Sequence, residues 1–384
     1  MISLGFRIIF FLYICECQLI VLISGLLTKK ASYYPLMKGF LNVLILVLLI
    51  AGSVSAQQDP QLSMYMFNKQ YMNPAHAGSL RATQFSLSGR LQWVSIDGAP
   101  NTGLFSINGP ADRLGGGIGG YMMVDRIGPI NTLGAGGQYA FRIVTTRKPI
   151  ANTPTSVLQL GIGLGFWQKS INPEWRYDTR LGFDPTLLNG SQSSIAGDVN
   201  AGLYFYVPFA KDPGRHKYWF SFTTNHLLEP TLQNFTTTNL SKVYRQFYAA
   251  SGYQFKVSKT QNLFLEPSAI IKSDLVSFQY DFNVNLHVSP LVFGMSYRGR
   301  LIPSNSSTAQ TSNQAKIRNR DALVGIVGFH TNNRLFIGYS YDYTLSTLGQ
   351  FTSGTHEIVV SYTFPKPNKL PRPEFNTIDK NLFD

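Results

Sequence analysis

Carboxylate and histidine side chains are the groups in this sequence that could carry acid–base or metal chemistry. Asp281 and Asp342 each stand in a strand-like alternation, and a pair of carboxylates can act as general acid and base. His356 and Glu357 open the run HEIVV, but a zinc-protease motif needs a second histidine four residues on, where this sequence has none. The six histidines lack metal-ligand spacing. We therefore expect a protein that is not an enzyme and has no cofactor.

The glycine-rich motifs do not indicate a nucleotide-binding site either. A G-x-G-x-x-G pattern begins at Gly115, but a dinucleotide site needs a helix to follow, and the residues from Tyr121 onward are typical of a strand. A second row of glycines begins at Gly161. We expect these glycines to relieve curvature and crowding in strands.

The elements that must position these residues are strands with period-two alternation. In residues 275–287, apolar side chains from Val276 to Leu286 alternate with polar ones from Ser277 to His287, a period that a helix does not give. About fourteen such stretches occur, near residues 82–95, 102–109, 114–125, 131–143, 156–167, 198–208, 216–226, 244–256, 261–272, 275–287, 290–299, 321–331, 333–343 and 355–364.

The length of these strands indicates a membrane protein. Most exceed the usual five or six residues of a globular strand, whereas a tilted membrane strand needs about nine to eleven. We therefore predict an all-β fold, a monomeric transmembrane antiparallel β-barrel of about 14 strands, with Asp281 and Asp342 in its lumen. A soluble β-sandwich is the alternative. Aromatic residues at strand ends, including Trp167, Trp219 and Tyr341, would form the interfacial girdles.

The connections sort by length. An even number of strands places both ends of the barrel sheet on one side, expected to be the periplasm. Counted in this way, the long connections 168–197, 227–243, 300–320 and 344–354 all fall on the outside. Most inside connections are short, and 144–155 is the exception.

The N-terminus has the features of an export signal. Residues 37–56 read MKGFLNVLILVLLIAGSVSA, with a basic start, an apolar core and small residues before a cleavage site at Ala56. A transmembrane helix is the alternative. We interpret residues 1–36 as an upstream extension that is not part of the translated protein, which would start at Met37, with a membrane anchor as the alternative. Residues 57–81 form an N-terminal periplasmic or plug-like segment, residues 82–364 the barrel and residues 365–384 a Pro-rich periplasmic tail.

Composition supports export to a membrane. Hydrophobic residues make up 44% of the chain and charged residues only 14%, which excludes collagen, coiled coils and charged disordered chains. Both cysteines lie in the leader, so the mature chain has none for disulfides or metals. The net charge of +13 is spread without a basic cluster, so we expect outer-membrane lipid rather than nucleic acid as its partner.

Three stretches resemble one family. The first contains QDPQ, YMFN and NPAHAGS, the second RLQW and GAP, and the third GYSYDY, SGTHEI and SYTF. In this order they resemble the PorP/SprF family, although His76 stands where tyrosine is commoner. The residues that carry the resemblance, with an expected structural role, are Asn73, Pro74, Gly78, Trp93, Asp342, His356 and Glu357.

The resemblance implies a bacterial outer-membrane component of the type IX secretion system. Family members serve either as a core component, with periplasmic ring proteins and a peptidoglycan-binding lipoprotein, or as a dedicated partner. A dedicated partner exports one large surface protein, such as a gliding adhesin, and holds its C-terminal domain. The long outside loops are the predicted contact surface, and a passive porin is the alternative function. The candidate aromatic anchors, which could instead pack within their loops, are Trp175, Tyr177, Phe183 and Phe235.

Overall fold

The polar and apolar faces of the strands close the sheet into a barrel. In the strand Phe278–Val288, Gln279, Asp281 and Asn283 are buried on the inner face, while Phe282 and Val284 are exposed on the outer face. The same alternation recurs around the sheet, so the outer surface is apolar and the lumen is polar. The computed structural model describes residues 59–144, 156–172, 191–208, 216–232, 241–257, 263–275, 277–301, 320–331 and 334–364.

Fourteen strands form one closed antiparallel barrel, as the alternation predicts. Each pairs with its neighbours in chain order, and the first strand pairs with the last. Two strands of two residues form a separate ladder, β8 (Thr231–Leu232) and β9 (Ser241–Lys242). The barrel strands are β1 (Gln84–Leu91), β2 (Asn101–Ala111), β3 (Gly116–Ile127), β4 (Ile130–Val144), β5 (Val157–Ile171), β6 (Gln192–Pro208), β7 (His216–Asn225), β10 (Gln246–Lys256), β11 (Leu263–Ser273), β12 (Phe278–Val288), β13 (Leu291–Leu301), β14 (Arg320–Thr331), β15 (Leu335–Thr344) and β16 (Thr355–Thr363).

The barrel has two distinct rims. We call the rim at Gln84 and Thr363 the terminal end, and the rim at Leu91 and Thr355 the loop end. The strands on either side of the connections 172–191, 226–245 and 302–319 all meet these connections at the loop end, in agreement with the sorting by length. Which rim faces the cell surface stays a prediction. No helix in the described part of the chain is long and apolar enough to cross a bilayer.

The strands β5 and β6 extend further than the sequence indicates. Their pairing continues toward the loop end as far as Ile171 opposite Gln192. Most of the added residues are polar and they lack a clear alternation, so only backbone pairing and contacts such as Gln168 Nε2 to Ser193 Oγ (3.1 Å) define them as strand.

Two of the predicted girdle aromatics face the lumen instead. Trp167 and Trp219 are 7% and 5% exposed, and their indole nitrogens donate to Asp198 (3.2 Å) and Glu266 (3.1 Å). The prediction was wrong for these residues because their strand positions share the parity of the inner face. Tyr341 and Tyr343 are exposed on the outer face near the loop end, as a girdle requires.

Candidate functional site

The lumen is occupied by the chain's own N-terminal residues. Residues 59–81, which we call the plug, run from the loop end, where Asp59 contacts Tyr248, to the terminal end, where Gly78 lies against β2 and β3. Three short helical turns shape the plug, at Tyr65–Phe67, Lys69–Met72 and Pro74–His76. The plug contacts strands on every side of the barrel, so it is held from all directions.

The start of the plug is bound by a buried charge network. Ser63 donates its backbone N–H to Glu357 Oε2 (2.7 Å) and its hydroxyl to Asp342 Oδ2 (2.6 Å), and Met64 N donates to Glu357 Oε1 (3.1 Å). Arg90 and Arg298 each donate to Ser63 Oγ, at 2.7 and 2.8 Å. The plug anchor, as we call this network, consists of Ser63, Arg90, Asp281, Arg298, Asp342 and Glu357.

Ion pairing explains how this network of two arginines and three carboxylates can be buried. Arg90 bridges Glu357 (2.8 Å) and Asp342 (2.9 Å), and Arg298 bridges Asp342 (3.0 Å) and Asp281 (3.3 Å). All five charged residues of the network are at most 2% exposed. Buried charges are costly unless they are paired and hydrogen-bonded, and here each carboxylate meets a guanidinium. The carboxylates of the plug anchor are therefore engaged in ion pairs that fix the plug, and they are poorly placed for acid–base chemistry.

The middle of the plug is fixed by Asn73. Its Nδ2 donates to the carbonyls of Leu203 (2.9 Å) and Phe222 (3.1 Å) and to Ser221 Oγ (2.8 Å). Its Oδ1 accepts the N–H of Ala75 (2.8 Å), which caps the turn that begins at Pro74. One side chain thus starts a turn of the plug and joins it to β6 and β7.

Glycines in the wall allow the plug backbone to approach. A Cβ at Gly161 would overlap the backbone of Ala75, and one at Gly117 would overlap the carbonyl of Ala77. Gly78 has a φ of +64° and lies against the backbone of β2 and β3, so a side chain is disfavoured there twice. The glycine pattern at 115–120 therefore accommodates the plug within a strand, rather than a nucleotide at a helix.

A second buried ion pair holds the loop-end tip of the plug. His226, in the turn after β7, lies 2.8 Å from Asp59 through Nε2 and 3.0 Å from Asp198 through Nδ1. Burial lowers the pKa of His226, but the two carboxylates raise it more, to about 10. Burial raises the pKa of Asp59, and the His226 charge outweighs this, so its pKa lies below the ordinary value. Asp59 also accepts from Tyr248 Oη (2.5 Å).

The remaining predicted site residues fall at the loop end or outside the described residues. Trp93 lies in the β1–β2 connection, and its backbone N–H donates to Thr355 Oγ1 (3.0 Å). His356 faces outward, where its Nδ1 meets Tyr339 Oη (2.7 Å), whereas its neighbour Glu357 faces the lumen. The four aromatic anchors, Trp175, Tyr177, Phe183 and Phe235, lie outside the described residues.

The structure joins residues that the sequence left apart. Asp281 and Asp342 meet in the lumen through Arg298, and the three family-like stretches converge on the plug anchor through Ser63, Arg90 and Glu357. Sequence reasoning did not single out Ser63, Arg90, Arg298 or His226. The available signal was inner-face parity, because a lone arginine inside a membrane strand needs a partner in the lumen. The described residues contain no group of three or more side chains that could hold a metal ion.

Among solved structures, the chain is similar to a TodX deltaS2S3 mutant monoaromatic hydrocarbon channel, with 9% identity, a TM-score of 0.44, and coverage of 82% of this chain and 97% of that one. A Pseudomonas aeruginosa FadL homologue gives 10% identity, a TM-score of 0.43 and coverage of 83% and 96%. No curated protein matches the sequence significantly. The family model for the type IX secretion system membrane protein PorP/SprF matches residues 54–362, and the chain therefore belongs to the PorP/SprF family.

Proposed function

We propose that this protein is a non-enzymatic component of the type IX secretion system that supports export or surface attachment of a secreted protein, such as a gliding adhesin. The observation that carries the proposal is the plug. Because residues 59–81 occupy the lumen and are tied to the wall by buried charges, the two rims are the surfaces left for partners. Membership of the family supplies the outer-membrane secretion context.

The two rims suit different partners. The connections 172–191, 226–245 and 302–319 each join strands at the loop end, and we propose that they bind the C-terminal domain of the secreted protein. Trp175, Tyr177, Phe183 and Phe235 belong to the sequence of this region and are the proposed aromatic anchors. The terminal end would then face the periplasm, where ring proteins and a peptidoglycan-binding lipoprotein are the proposed contacts.

The experiment is a surface and culture-fluid proteome of a deletion strain beside its parent. We expect one large surface protein to be lost, which supports the dedicated role. Loss of all type IX cargo would instead support the core role. An unchanged profile in a strain without a related gene would contradict the secretion proposal.

Loop variants refine this experiment. In the complemented strain, Trp175→Ala combined with Phe235→Ala should reduce surface retention of the cargo while the barrel stays in the outer membrane. Phe209→Ala, in the terminal-end connection 209–215, is the matched control and should retain the cargo. Equal effects of the two changes would contradict recognition at the loop end.

A passive channel is the rival function. An open lumen would favour it, whereas the plug joins the wall on both halves of the barrel, at Ser63 and at Asn73. The plug therefore supports protein recognition over diffusion of small molecules.

A further inference from the structure

The plug runs through the lumen in one direction. At its start, Asp59 accepts from Tyr248 Oη and lies 2.8 Å from His226 Nε2, and both of these partners stand at the loop end. At its far end, Gly78 lies against the backbone of β2 and β3, and the chain then enters β1 at the terminal end. Whatever precedes Asp59 in the chain is therefore attached to the plug at the loop end.

The predicted mature chain has only two residues before Asp59. Because cleavage is predicted after Ala56, these are Gln57 and Gln58, which lie outside the described residues. An extended chain spans at most about 7 Å over two residues, so the new amino terminus stays within that distance of Asp59. The 11-residue strand β12, by comparison, is roughly 35 Å long. The amino terminus therefore cannot reach the terminal end, where β16 ends.

The mouth of the barrel at the loop end is polar and shallow around this start of the plug. A cleft of about 20 Å³ lies between the plug and the wall, and it has room for about one water molecule. Gln61, Lys272 and Gln279 are among the residues that line it, and Gln61 Nε2 has no hydrogen-bond partner within the described part of the chain. A cleft of this size admits no side chain of another protein. A partner at this end would therefore lie on the plug and hydrogen-bond to it, rather than insert into the lumen.

The strands that lead into two of the loop-end connections stand on both sides of the lumen. In the order of strands around the barrel, β5 and β6 are nearly opposite β13 and β14. The connections 172–191 and 302–319 join these two pairs, so a domain that binds both connections must span the mouth. Residues 57–61 read QQDPQ, and they offer such a domain hydrogen-bonding groups and no large apolar side chain.

We propose that the amino-terminal tip of the mature chain, residues 57–61, is displayed at the loop end and is covered by the C-terminal domain of the secreted protein. The tip is then part of the partner surface, together with the connections. The identity of the partner rests on the proposed function, whereas the position of the tip rests on the direction of the plug. These two parts of the proposal can therefore fail separately.

Single cysteines test the position of the tip, because the predicted mature chain has none of its own. Gln58→Cys reports on the tip, Asp97→Cys on the loop end, and Arg113→Cys, in the exposed turn between β2 and β3, on the terminal end. In intact cells, a membrane-impermeant maleimide should label Gln58→Cys and Asp97→Cys, and it should label Arg113→Cys only after the outer membrane is opened. Gln58→Cys that labels only together with Arg113→Cys, or in neither state, would overturn the display of the tip.

A second strain tests the contact with the partner. In cells that lack the surface protein identified by the proteome comparison, Gln58→Cys should label at least about threefold faster than in its presence, because the buried part of an interface excludes solvent. Arg113→Cys, labelled in opened cells, is the control and should react at the same rate in both strains. Equal rates for Gln58→Cys would overturn the contact at the tip and would leave the secretion role in place.

Discussion

Single residues decide how firmly the plug is held. Asp342 accepts hydrogen bonds from Ser63, Arg90 and Arg298, all through Oδ2. Asp342→Asn keeps the shape, but Arg90 and Arg298 each lose a charged partner and keep only one carboxylate, Glu357 and Asp281 respectively. We expect a loss of about 1.5–3 kcal/mol in the free energy of unfolding, because hydrogen bonds to a charged acceptor are weakened. The urea midpoint of the folded barrel, followed by its shift in gel mobility, measures it.

The control for this change is Asp97→Asn. Asp97 is an exposed carboxylate in the β1–β2 connection, and we expect its replacement to cost less than about 1 kcal/mol. If both variants unfold at the same urea concentration, the plug anchor does not stabilise the fold as described.

The Asp59–His226 pair predicts a dependence on pH. The folded pKa of His226 is about 10, above its ordinary value of 6.5, so its contribution is complete below pH 6.5 and is lost as the pH rises toward 10. The depressed pKa of Asp59 adds a loss in acid, as the pH falls below about 4. Hydrogen exchange of residues 59–72, corrected for the intrinsic rate, should show falling protection between pH 6.5 and 10.

His226→Gln should lower this protection and flatten its pH profile in that range. His356→Gln, on the outer face, should leave the profile unchanged. A wild-type profile that is already flat would mean that the ion pair does not hold the tip of the plug.

The sequence predicts which residues face the lumen, but it does not predict which of them contact one another. The alternation around Asp281 and Asp342 places both carboxylates in the lumen. Their connection through Arg298 depends on the register between β12, β13 and β15, which is fixed only when the barrel closes. Ser63 lies in a segment without periodicity, so no pattern could assign its partners.

At the scale of elements, wall glycines and plug turns must match. Gly161→Ala adds a Cβ that would overlap the backbone of Ala75, and backbone cannot move aside as a flexible side chain can. We expect about 1–3 kcal/mol of destabilisation and weaker protection of the Pro74–His76 turn in hydrogen exchange. Gly137→Ala, on the neighbouring strand β4, meets no atom within 4 Å and is the matched control. Similar results for the two variants would argue against close packing of the plug.

The strands themselves follow from the sequence to within a few residues. Long alternation fixes β12 and β15 well, because an apolar outer face and a polar lumen leave one period possible. The ends of β5 and β6 do not follow, since backbone pairing alone extends them. The faces of Trp167 and Trp219 were misassigned because a tryptophan suits both a lipid interface and a packed lumen.

At the scale of the whole molecule, the plug predicts a barrel that does not conduct ions. In planar bilayers the full chain should show no steady conductance, because residues 59–81 contact the wall along the length of the lumen. The double variant Asp342→Asn and Glu357→Gln should show transient openings, since the anchor is broken. Steady porin-like conductance of the unmodified chain would favour the channel function instead.

The plug anchor also bears on the order of assembly. Arg90 comes from the first barrel strand, whereas Asp342 and Glu357 come from the last two, and Ser63 precedes them all. These groups can meet only when β1 pairs with β16, because that pairing closes the barrel. In an open sheet, the arginines and carboxylates of the plug anchor would lack their partners. The plug can therefore dock fully only after the last strand has been synthesised and has paired with β1.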